Sequence, residues 1–169
     1  VSSANILSLY AYNTIGTNDI PLYIDVLTLQ DALSQTSDIY IESVTNNTFY
    51  IRGTISAPQG DISLTSAQVN LDVDALIEAP QGSILLQADN GTLSAFGTMR
   101  ANPDFGTIIF KVGYDVDMGG IYEASFMDFD PHTNGDLTIS SYTEATGDTT
   151  WSATGNITIT ADVYVFSGV

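Results

Sequence analysis

Paired carboxylates are the side chains of this sequence best spaced for chemistry. Asp72 and Asp74, Asp115 and Asp117, and Asp128 and Asp130 are each separated by one residue. On a β-strand that spacing puts both carboxylates on one face. Such a pair can hold Ca²⁺ together with backbone carbonyls and water, or supply the acid and base of glycoside hydrolysis when the separation suits. The densest run of oxygen ligands lies between Asp128 and Asp136, where Asp128, Asp130, Asn134 and Asp136 form the candidate calcium set. This run lacks the alternating Asp/Asn positions followed by Gly that an EF-hand loop requires. A strand connection has the same composition, and a solvated outer face is the plainer reading of scattered acid pairs in a chain with sixteen aspartates.

Other reaction chemistries find little material. Cysteine is absent, which excludes thiol nucleophiles and thiolate zinc sites. His132, beside Pro131, is the single histidine, and Lys111 is the single lysine. A Ser-His-Asp arrangement or a Schiff-base lysine therefore rests on one residue apiece. No glycine-rich phosphate cradle followed by a helix is present. The expectation is a noncatalytic protein.

Charge sets the class of partner. Twenty acidic residues face Arg52, Arg100 and Lys111, a formal net charge of −17. Such a polyanion gains nothing by displacing counterions from phosphate, so nucleic acid and anionic lipid surfaces are excluded as partners. Cations suit it, and salty medium screens its self-repulsion, which points outside the cell or to its surface. With 44% hydrophobic and 14% charged residues the chain is too apolar to be disordered. No apolar run is long enough for a membrane-spanning helix. Val1 is not followed by a basic n-region and apolar h-region, so any secretory leader is expected outside this sequence. The sequons at Asn46, Asn90 and Asn156 read as coincidence in a chain rich in Asn and Thr.

The elements that must position these residues show themselves as a repeat. Ile55-Ser56-Ala57-Pro58-Gln59-Gly60-Asp61-Ile62-Ser63-Leu64 recurs 22 residues later as Ile77-Glu78-Ala79-Pro80-Gln81-Gly82-Ser83-Ile84-Leu85-Leu86. A further copy begins at Ala101-Asn102-Pro103 and takes two extra residues in its turn before Gly106-Thr107-Ile108-Ile109-Phe110. A small turn residue, a polar residue, then apolar-x-apolar also appears at Ser37–Ile41, Gly135–Ile139 and Gly155–Ile159, with Gly119-Gly120-Ile121-Tyr122 as a degraded copy. A period near 22 with corners of varying length is the mark of a solenoid. The alternation within each copy has period two, so the local structure is β. The best helix candidate, Val26 to Leu33, lacks a clean 3.6 period and a C-terminal cap and reads as strand and turn.

Stacked copies are expected to form two internal ladders. One contains Ile39, Ile62, Ile84, Ile108, Leu137 and Ile157; the other contains Ile41, Leu64, Leu86, Phe110, Ile139 and Ile159. Gly at the corner permits positive φ, and Pro58, Pro80 and Pro103 sit where a missing N–H costs no ladder bond. Roughly seven coils spaced about 4.8 Å apart make a rod about 35 Å long. Residues 111–169 carry weaker copies and more aromatics, and a distinct β subdomain there is the alternative to one solenoid over 1–169.

Outward positions carry the interface reading. Tyr40, Leu85 and Ile109 are large and apolar where Ser63, Thr138 and Thr158 are polar, a stripe for a partner or for a covering segment of the chain. Trp151 is a candidate for stacking on sugars. Solenoid ends expose strand edges, and neither terminus shows an amphipathic capping helix. Copies of the chain, or the rest of a longer one, are the expected partners.

The segment Tyr10-Ala11-Tyr12-Asn13-Thr14-Ile15-Gly16-Thr17-Asn18-Asp19-Ile20-Pro21-Leu22-Tyr23-Ile24-Asp25-Val26, with the Ala-Pro-Gln-Gly coils after it, resembles filamentous-haemagglutinin-like repeats of large bacterial surface and secreted adhesins. The likeness covers roughly residues 5 to 110. It implies a right-handed parallel β-helix acting as a stalk or fibre, exported and used in adhesion or matrix building, with no catalytic residues to transfer. Two alternatives have different physics. A β-sandwich pilin would assemble by donating its strand from Ala4 to Tyr12. A polysaccharide lyase or hydrolase would use an Asp-lined groove with Asp115 and Asp117, by fold analogy.

Overall fold

The computed structural model describes residues 6–67, 70–131, 135–151 and 153–166. Among them there is no helix and every strand pairing is parallel. The strands are β1 (Ile6–Ala11), β2 (Leu22–Ile24), β3 (Thr28–Ser34), β4 (Ile39–Ser43), β5 (Phe49–Ser56), β6 (Ile62–Ser66), β7 (Leu71–Ala79), β8 (Ile84–Ala88), β9 (Leu93–Ala95), β10 (Thr98–Ala101), β11 (Thr107–Val112), β12 (Val116–Pro131), β13 (Leu137–Trp151), β14 (Ile157–Ile159) and β15 (Val163–Phe166). The chain is a β-solenoid of about seven coils.

Each coil turns through the same sequence of faces. The first face holds the opening residues of β5, β7, β12 and β13 with β9 and β14. The second holds the later residues of β3, β5 and β7 with β10, mid-β12, mid-β13 and β15. The third stacks β2, β4, β6, β8, β11 and the far end of β12. Alternation along each strand sends every second side chain inward, as in the buried–intermediate–buried pattern of β4, β6 and β8.

Ile62 stands in register with Ile84 and Leu64 with Leu86. The inner ladders of the third face run Ile39–Ile62–Ile84–Ile108 and Ile41–Leu64–Leu86–Phe110, as the period requires. Above Ile108 and Phe110, however, the register leads to Met127 and Phe129. Leu137, Ile139, Ile157 and Ile159 belong to the first face, over Val116 and Met118. Gly119-Gly120-Ile121-Tyr122 is not a copy of the same corner either: Ile121 points outward on the second face and Tyr122 is buried.

Two corners of the coil share one chemistry. Before the third face, Asp38 Oδ1 accepts the Asp61 N–H, Asp61 Oδ1 accepts the Ser83 N–H, and Ser83 Oγ accepts the Thr107 N–H, at 2.8, 2.8 and 3.1 Å. Before the first face, Asn70 Oδ1 accepts from Thr92, Asp115 Oδ1 from Asp136, and Asp136 Oδ1 from Asn156, at 3.0, 2.9 and 2.7 Å. At both edges a short polar side chain satisfies a backbone donor one coil along, where no strand ladder reaches it. The same polar-apolar-x-apolar signature therefore marks two different faces.

The turn glycines also work differently from expectation. Ala57-Pro58-Gln59-Gly60 and Ala79-Pro80-Gln81-Gly82 close with Gly60 N–H donating to Ala57 O and Gly82 N–H to Ala79 O, which puts Pro second and Gly fourth in each turn. Positive φ occurs at Gly16, Gly53, Gly120 and Gly147 and not at Gly60 or Gly82. At Gly82 an added Cβ would stand 2.3 Å from the Gly60 carbonyl oxygen of the coil below. The corner takes Gly because the coils approach too closely for a side chain.

The faces meet in one continuous core. Tyr122 reaches in from the second face to pack edge-on against Phe110 of the third, ring centroids 5.8 Å apart. Its hydroxyl lies 2.7 Å from Ala95 O and 3.1 Å from Gly119 O. Burial is the main cause that holds this phenol far above its ordinary range, and so neutral.

Candidate functional site

The outer column of the third face is where the stripe residues meet. In register it reads Tyr40, Ser63, Leu85, Ile109 and Asp128. Ser63 is the small member between Tyr40 and Leu85, and the gap above it opens a shallow groove of about 180 Å³. Tyr40, Leu85 and Ile109 are half-buried and line it with Ser63, Ser83, Thr107, Asp61 and Asn18. Asn18 comes from the loop between Ile15 and Leu22, which leaves the third face after the Ile15–Ile39 bridge and rejoins it at the Leu22–Ile41 pair.

The groove is negative as well as apolar. Asp61 is exposed on its rim. Burial and then the carboxylates of Asp38 and Asp61 hold the Tyr40 hydroxyl above the ordinary phenol range. Sequence reasoning found the three large residues but not the groove. Its signal was the alternation of residue size along the column, large at Tyr40, small at Ser63 and large at Leu85.

The acid pairs are dispersed. Asp72 and Asp74 share the outward side of the first face, and Asp72 is tied to Arg52 at 2.9 Å. Arg52 also lies 5.1 Å over the Tyr50 ring. Asp115 belongs to the corner ladder, while Asp117 on the outer first face accepts a hydrogen bond from Ser140 Oγ. The pair is thus split between a backbone contact and a side-chain contact.

The proposed calcium set is only partly described. Asp128 lies beside Ile109 in the outer column. Asp136 accepts two hydrogen bonds, from the Asn156 N–H and the Asn156 Nδ2, so it is committed to the corner. Asn134, together with His132 and Thr133, lies outside the described residues, as does the side chain of Asp130. Among the described residues no three His, Cys, Asp or Glu side chains converge to hold a metal ion.

Trp151 packs against the core at the end of β13. Among the sequons, Asn46 is exposed, Asn90 Nδ2 donates to Ala67 O at 2.7 Å, and Asn156 belongs to the corner ladder. One feature went unread in the sequence: Arg100 bridges Glu78 and Glu123 at 3.2 and 3.1 Å on the outer second face. Its signal was the spacing of 22 and 23 residues, close to one coil in each direction.

The chain matches no protein-family model, no curated protein and no solved structure.

Proposed function

We propose that the chain is a noncatalytic structural module of an extracellular fibre or surface adhesin, whose stacked coils supply a stiff stalk and whose outer residues supply contacts. The observation that carries this reading is the continuity of the inner ladders. From Leu29 through Ile51, Val73, Ala95, Met118 and Ile139 each coil sets an apolar residue against the next. A body that shares its core along one axis resists bending about that axis, because any hinge must open a ladder and its hydrogen bonds together.

The last described coil supports assembly along the axis. Its strands β14 and β15 pair with β13, and Ile157 and Ile159, which continue the inner ladders, are 48% and 50% exposed. A further coil, from a longer chain or from another copy, would cover them and pair the open strand edge. Extracellular residence fits the net charge of −17. The adhesin likeness of the Tyr10–Val26 segment supports a surface role.

Electron microscopy of the native material tests the proposal. Slender rods or fibres are expected. Compact, monodisperse particles, together with a native polypeptide no longer than this sequence, would overturn it.

A further inference from the structure

We infer that the groove between Tyr40 and Ile109 on the third face is a docking site for a lysine or arginine side chain of a basic partner polypeptide. The inference concerns this surface alone and holds whether or not the module belongs to a fibre.

Shape and chemistry both point to that occupant. The walls are Tyr40 on one side and Leu85 with Ile109 on the other, over Ser63 and flanked by Ser83 and Thr107. Such walls reward an aliphatic stem, which a bare metal ion or ammonium ion does not have. Asp61 supplies a carboxylate, and Tyr40 supplies an aromatic wall, a side-chain type that attracts cations. A side chain with an apolar stem and a cationic head satisfies both parts at once. A neutral apolar side chain would leave the carboxylate field unanswered.

Among the described residues, no lysine or arginine side chain lines the groove. Arg52 is paired with Asp72 on the first face, and Arg100 is held between Glu78 and Glu123 on the second. Lys111 stands in the neighbouring outer column beside Gln87 and lines a separate cleft with Asp89 and Tyr114. A basic partner polypeptide would supply the stem and the charge together. The net charge of −17 would steer such a partner to the module at long range, while the groove selects where it seats.

Binding of a short peptide alternating lysine and leucine, followed by calorimetry at moderate salt, tests this on the whole chain. Leu85→Ser removes one wall, Ser63→Tyr fills the gap without deleting any contact, and Asp61→Asn removes the charge while keeping the Oδ1 that accepts the Ser83 N–H. Asp74→Asn makes the same change of charge on the exposed first face. Circular dichroism confirms that each variant is folded.

Leu85→Ser and Ser63→Tyr are expected to weaken binding about tenfold or more, and Asp61→Asn several-fold, with Asp74→Asn unchanged. Equal losses for Asp61→Asn and Asp74→Asn would overturn the proposal in favour of diffuse attraction to a polyanion. So would equal affinity for a peptide with glutamine in place of lysine, or absence of binding. Dimerisation of the wild-type chain that Ser63→Tyr abolishes would overturn it in favour of a second copy as occupant.

Discussion

Replacing Leu86 by alanine and, separately, its neighbour Leu85 by alanine isolates what the ladders contribute. The two side chains have the same size and adjoin in β8, but Leu86 is fully buried between Leu64 and Phe110 whereas Leu85 faces outward, half-buried. Truncating Leu86 removes about three methylene equivalents from the core at ~0.8 kcal/mol each, and the cavity left between two coils raises the total to about 3 kcal/mol. Neither neighbouring coil can close the gap without breaking its own register. Truncating Leu85 removes partly solvated surface and costs under about 1 kcal/mol.

Urea unfolding followed by far-ultraviolet circular dichroism measures both. Stacked repeats can unfold in segments, so hydrogen exchange should accompany it. Loss of protection for Leu86→Ala is expected to centre on β6, β8 and β11. Equal costs for the two variants, or a greater cost for Leu85→Ala, would refute the assignment of inner and outer sides.

Further expectations follow from other contacts. Tyr122→Phe deletes a hydroxyl that donates to the carbonyl oxygens beside it and should lower stability by about 1 kcal/mol in thermal denaturation. The Tyr122 phenol is held protonated in the fold but ionises near its ordinary range once unfolded, so its contribution is complete below about pH 10 and falls as pH rises above it. Alkaline ultraviolet titration should show one tyrosine that ionises only with unfolding. Gly120→Ala should be severely destabilising, by about 1–3 kcal/mol or more, because φ is +131° and the new Cβ would meet Gly97 O at 2.1 Å; a melting curve like that of the parent would contradict it. Arg100→Gln should cost less than about 1 kcal/mol, and high salt should erase the difference, since its bridges to Glu78 and Glu123 lie on the surface.

The solenoid was legible because its third-face copies keep both period and turn. Ala-Pro-Gln-Gly at two successive coils fixed the register of Ile62 on Ile84, and strand alternation assigned the inner and outer sides. Register beyond Phe110 was not legible. Corner ladders at Asp61 and at Asp136 demand the same short polar acceptor before an apolar-x-apolar strand, so sequence alone could not say which edge a copy occupied. The role of single acids was hidden for a related reason: Asp115 and Asp136 bind backbone donors a coil away, a need invisible without knowing what lies above and below. Tyr40, Leu85 and Ile109 could be read as an outer stripe, whereas Asn18 of the groove lies in an aperiodic loop that no repeat places.

The in-register stacking of coils is tested most directly by cross-linking. Ser63 and Leu85 are outward neighbours in register on adjacent strands, and the chain has no cysteine to compete. Strands lie about 4.8 Å apart, within reach of a disulfide, while positions two coils apart, about 9.6 Å, are beyond it. Under mild oxidation the double variant Ser63→Cys with Leu85→Cys should close an intramolecular bridge in the folded protein, and Ser63→Cys with Ile109→Cys should not. Failure of the first pair, or equal bridging by the second, would contradict the stacked-coil fold.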